Sequence, residues 1–108
     1  MLHEELYNIE VTDKDIDQAM VEDRYNPLQL AIARATNKAP EEVDIRRTGV
    51  FISVYDYADF IKYDFDEECL DIIRDELQAW EDWQYAVDGD TALYMEPFTC
   101  TLHLNRAI

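Results

Sequence analysis

The sequence holds little of what catalysis and covalent scaffolding draw on. Its 108 residues include two glycines, three prolines, two cysteines and two histidines, and Ser53 is the sole serine. Gly49 and Gly89 are too few and too far apart for a phosphate-cradling loop, and no nucleophile elbow surrounds Ser53. Cys69 and Cys100 form neither a disulfide framework nor a CxxC pair. Free cysteines packed as small apolar groups in a reducing compartment are expected, with one long-range disulfide as the alternative. His3 and His103 have no HxxxH partner for a zinc site, and His103 is expected as an exposed strand residue at the sheet edge. Asp13, Asp15 and Asp17 carry the odd-position acids of a calcium loop, but Gln18 replaces the required glycine and Arg24 the bidentate glutamate. Carboxylate pairs for glycoside hydrolysis are uninformative among so many acids. No enzyme, metal or cofactor is therefore expected. No apolar run approaches the ~20 residues of a membrane span, and the opening Met1-Leu2-His3-Glu4-Glu5 is unlike the basic start of a secretory signal. Cations are also scarce, nine Lys and Arg in all. A soluble, intracellular chain is expected from the missing signal and span, and a surface so acidic should bind neither nucleic acid nor an anionic membrane directly.

Acid and apolar residues take the place of what is missing. Asp and Glu number 25, for a formal charge of −16, while 48% of the chain is hydrophobic and 12% aromatic. Disordered acidic chains lack that apolar content, so residues 1–108 should fold as a single domain with its own core. Thirteen of the acids fall between Asp56 and Asp90, opposed there only by Lys62 and Arg74, so this segment carries 2 − 13 = −11 of the charge. Crowding like charges works against a compact state, and an even spread would have served solubility as well.

Periodicity and turn chemistry give the element order β-α-α-β-β-(β)-α-β, an α+β domain with helices on one face of a small, mostly antiparallel sheet. A first strand spans 6–11. Thr12 caps a helix from Asp13 to about Asp23, with Asp15 in the capping-box position and Ile16, Ala19 and Met20 inward. Asn26-Pro27 opens a second helix to Thr36. Strands follow at 42–46 and 50–55, and a meander strand at 57–65. Asp66 caps a long helix from Glu67 to about Tyr85, Asp88-Gly89-Asp90 turns the chain, and 98–104 forms the last strand.

The long helix shows two faces. Leu70, Ile73, Leu77 and Trp80 make a core stripe, and Glu67, Asp71, Asp75, Gln78 and Asp82 recur at the same steps within about 80° of one another. This column offers about one carboxylate per ~6 Å, against one phosphate per ~3.4 Å on a DNA strand. Alone it is too sparse to imitate nucleic acid. Asp56, Asp59 and Asp64 before the helix, Glu68, Glu76 and Glu81 on its shoulders, and Asp88 and Asp90 after it would have to supply a parallel row. Tyr55, Tyr57, Tyr63, Trp83 and Tyr85 lie beside these acids as candidate anchors. The plainer alternative for the same run is a solvated face, with Trp83 and Tyr85 as packing cover.

The frame Val11-Thr12, Asp15-Ile16 and Asn26-Pro27-Leu28-Gln29-Leu30-Ala31-Ile32-Ala33-Arg34-Ala35, closed by Asp88-Gly89-Asp90 and Glu96-Pro97-Phe98-Thr99-Cys100-Thr101-Leu102, resembles a group of small uncharacterised bacteriophage and prophage proteins. The likeness covers both ends and leaves the acidic middle unmatched. Asn26 stands where the group often has Cys, and Cys100 where it often has Phe. The resemblance implies a phage protein acting in the host cytoplasm. Joined to the acidic segment, it gives the expected function: an anti-CRISPR or anti-restriction inhibitor, a DNA mimic that occludes the Lys/Arg-rich groove of a host nuclease or effector complex. The alternative is a phage assembly accessory that oligomerises, as a homodimer or larger, through aromatic faces.

Overall fold

The computed structural model describes residues 5–22, 24–54, 59–86 and 95–105. Among these, five strands and three helices follow one another as β1 (Leu6–Val11), α1 (Asp13–Glu22), α2 (Pro27–Thr36), β2 (Val43–Ile45), β3 (Gly49–Val54), β4 (Asp59–Phe65), α3 (Leu70–Gln84) and β5 (Phe98–Leu104), with 3₁₀ turns at Pro40–Glu42 and Glu67–Cys69. This is the expected α+β order, and the bracketed meander strand is β4.

Local chemistry accounts for the helix ends. The Thr12 N–H donates to Asp15 Oδ2 at 2.9 Å and the Asp15 N–H donates to Thr12 Oγ1 at 3.3 Å, a capping box with Asp in the place of Glu. Arg34 of α2 adds an ion pair to the same Asp15, and its Nη2 donates to the Glu10 carbonyl at 2.8 Å. The end of β1, the start of α1 and the last turn of α2 are thus held by one guanidinium, whose pKa the Asp15 hydrogen bond raises. Asn26 Oδ1 accepts from the Gln29 N–H at 2.7 Å at the head of α2. Asn37, left-handed at φ 57°, closes its tail, where the Lys38 N–H donates to the Ala33 carbonyl at 2.8 Å.

The sheet runs β1-β5-β4-β3-β2, antiparallel throughout. Register pairs Ile9 with Cys100, Phe65 with Leu102, Val50 with Tyr63 and Val43 with Ile52, so alternation turns all of these to one face. That face shares a single core with Ile16 and Ala19 of α1, Leu28 and Ile32 of α2, and Ile73 and Trp80 of α3. α2 touches both edge strands, β1 and β2. Flat, five strands would separate those edges by about 19 Å, nearly twice the width of a helix, so the sheet curls around α2. β3 and β4 approach closely at Gly49, where a Cβ would run into the Tyr63 carbonyl of β4.

Four sequence expectations are corrected. Asp66 does not cap α3 with its side chain. Its N–H donates to the Thr101 carbonyl at 2.9 Å, which carries the β4–β5 ladder one residue further, so its carboxylate turns to the sheet's outer face and lies 3.7 Å from His103 Nε2. The α-helix accordingly starts three residues late, after the 3₁₀ turn. His103 is exposed as expected, but β5 lies inside the sheet and not at its edge. Met20 is exposed, because Asp15, drawn in by Arg34, takes the inward position of α1 beside Ile16 and Ala19. Leu70 and Leu77 are half-buried, leaving Ile73 and Trp80 as the fully buried part of the α3 stripe.

Candidate functional site

α3 is about 22 Å long, and its two faces diverge as its period requires. Measured at ~100° per residue, the column centred on Asp71, Asp75, Gln78 and Asp82 lies roughly opposite the Ile73 and Trp80 side. All four residues are exposed, as is Glu67 in the preceding 3₁₀ turn. Internal neutralisation is slight. Arg74 reaches Asp71 at 3.5 Å and Asp75 at 3.4 Å, with the carboxylate side chains 87% and 70% accessible. Such wide exposed pairs contribute about 0–1 kcal/mol each and leave the carboxylates available to a partner. Gln78 donates to Asp82 at 2.9 Å and orients it outward.

The flanking acids divide. Glu68 and Glu81 are exposed, and Glu76 is half-buried on the α3 flank. Glu76 Oε2 accepts the backbone N–H of Glu96 at 2.8 Å, which brings an exposed carboxylate from the lead-in to β5 alongside the helix. The sequence reading missed Glu96. Its contact joins residues twenty positions apart, and no periodicity encodes that. Asp59 opens β4 and binds the N–H of its own neighbour Phe60. Asp64 stands on the sheet's outer face, where Asn105 donates to it at 2.8 Å and Lys62 lies 3.7 Å away. Alternation along β4 thus separates Asp64 from the α3 column, and it does not join a row beside it. Asp56, Tyr57, Asp88 and Asp90, and also Tyr55, lie outside the described residues.

Among the aromatic candidates, Tyr63 is core, packed edge-on against Tyr7 with ring centroids 5.5 Å apart. Trp83 is half-buried on Trp80 at 5.0 Å, and Tyr85 at the end of α3 is 77% exposed. Tyr85 therefore offers a ring free of packing duty at one end of the acidic column.

Reactive groups are muted elsewhere. Cys69 and Cys100 are both free thiols. Burial, helped by the nearness of Cys69, pushes the Cys100 thiol up to about 12, so it stays protonated near neutral pH and is a poor nucleophile. Tyr25 is also raised, by burial first and then by its hydrogen bond to Glu41. No cluster of three or more metal-ligating side chains occurs among the described residues, and none of the helices they form is long and apolar enough to cross a membrane. No protein-family model matches the sequence, and the comparisons with curated proteins and with solved structures return no match.

Proposed function

We propose that this chain is a non-enzymatic binding protein that lays the solvent face of α3 against a Lys/Arg-rich surface of a partner. In the fuller form of the reading it is a phage-encoded inhibitor of the anti-CRISPR or anti-restriction type, occluding a groove that otherwise holds nucleic acid. The observation that carries it is the exposed run Glu67, Asp71, Asp75 and Asp82, set opposite the core with only Arg74 among them. Glu76 and the Glu96 that it binds lie about 130° around the helix from that run and add no second row to it. The mimicry is of one short strand: α3 spaces its acids more widely than phosphates, and Asp64 faces elsewhere. Association would be fast, electrostatically steered and steeply salt-dependent.

The test is capture of host nucleases and DNA-processing proteins at low and high salt, repeated in saturating DNA. Wild-type chain should retain a DNA-binding protein at low salt, release it at high salt and be displaced by DNA. Reversal of Asp71, Asp75 and Asp82 to Lys should weaken capture at least about tenfold, the loss of roughly 1.4 kcal/mol. Capture undiminished by saturating DNA would sink the occlusion reading.

A second reading, an assembly accessory that oligomerises, is favoured by the open outer face of the sheet. Leu6 and Phe60 are 47% and 51% exposed there, and Phe51 lies beneath the Arg46 and Lys62 cations. Replacing Phe60 with Lys would dissociate such an assembly, and the α3 reversal would leave its stoichiometry intact.

A further inference from the structure

A groove of about 650 Å³ separates α3 from the turn joining β2 and β3. Ligand sites commonly fall between ~300 and ~1,000 Å³. Its floor is Leu70, Ile73 and Leu77, which extend along α3 for about 10 Å, the length of a medium alkyl chain. Of the chain's nine Lys and Arg residues, three line this one groove: Arg46, Arg47 and Arg74. In a protein of charge −16 that clustering over an apolar floor needs a reason.

The three guanidiniums differ in how far they are engaged. Arg46 gives Nε and Nη2 to one oxygen of Asp44, at 3.0 and 2.6 Å, and lies 5.8 Å over the Phe51 ring. Those contacts hold its guanidinium on the sheet's outer face, neutralised by Asp44, and leave the charge at the groove to the other two. Arg74 is held only by the wide exposed pairs to Asp71 and Asp75. Arg47 is exposed and forms no ion pair among the described residues. Asp71 and Glu81 also line the α3 wall, so the anion-binding end is the β2–β3 turn, away from that wall.

We infer that this groove binds a small amphiphilic anion, its alkyl body on Leu70, Ile73 and Leu77 and its carboxylate held by the forked guanidinium of Arg47. Forked guanidinium donors match a carboxylate in a way that a point charge does not. The half-exposure of Leu70 and Leu77, which the core leaves unburied, supplies the apolar term.

The experiment uses the full chain and 1-anilinonaphthalene-8-sulfonate, an apolar body with one anionic group, with laurate and dodecanol as competitors below their aggregation concentrations. The probe should brighten on binding, laurate should displace it, and dodecanol should need at least about ten times the concentration. Arg47→Glu, at an exposed turn position, should weaken laurate at least about tenfold with thermal unfolding unchanged, and Leu77→Asp should abolish binding of both. Equal displacement by laurate and dodecanol, undiminished laurate binding by Arg47→Glu, or no displacement by laurate at all would each overturn the assignment.

Discussion

At the scale of single residues, Arg34 does more than its neighbours. Asp15 is 3% exposed and ion-paired to Arg34, and without Arg34 its remaining partners are the Thr12 N–H and hydroxyl. Removing one partner of a buried charge costs more than the pair contributes, because the survivor stays desolvated. Arg34 is itself about half exposed, so solvent moderates the loss. Arg34→Ala should destabilise the fold by about 2 kcal/mol, a fall of roughly 10 °C in the unfolding midpoint for a domain of this size. Asp15→Asn with Arg34→Ala should cost little more than Arg34→Ala alone, since the second change removes the stranded charge. A double-mutant cycle by thermal denaturation measures this directly, and additive losses would mean that the two side chains are not coupled.

Among elements, the β3–β4 hairpin carries the tightest constraint. A methyl group at Gly49 would meet backbone of β4, which cannot step aside as a side chain would. Gly49→Ala should therefore cost about 1–3 kcal/mol, read as a lowered denaturant midpoint with an unchanged slope. The expected strand at 50–55 left this glycine just outside its boundary and gave no reason for it, because the clash is with Tyr63, fourteen residues later. The same division holds elsewhere. Thr12, Asn26 and Pro27 announced their helix starts because capping is local chemistry among residues three apart. The alternation of 98–104 announced β5 because one of its faces is buried. Asp66 misled because its ladder bond to Thr101 is long-range, and a local cap signal lost to it. The acidic column on α3 was legible from its period alone, whereas Glu96 beside Glu76, and Asp64 turned to the far side of the sheet, depend on pairings that no window of sequence contains.

The whole molecule carries a charge of −16 on one small domain, and α3 concentrates the strain that this implies. Its last turn holds no cation and two acids, Glu81 and Asp82, where the partial negative charge of the helix end favours cations. Asp82 thus opposes both the helix dipole and the field of the other carboxylates, with the Gln78 amide as its compensation among the described residues. Asp82→Lys changes the net charge from −16 to −14 and removes both penalties at an exposed position. It should stabilise the chain by about 0.5–1 kcal/mol, a rise of a few degrees in midpoint at low salt. Raising ionic strength from ~0.01 to ~0.15 M shortens the screening length from about 30 to 8 Å and should raise the wild-type midpoint while narrowing its gap to the variant. A midpoint that falls with Asp82→Lys would show that Asp82 makes a stabilising contact of its own. If the midpoint rises while salt-sensitive partner capture falls, the chain keeps this acid at the expense of its own stability, as expected where a surface is set by what it binds.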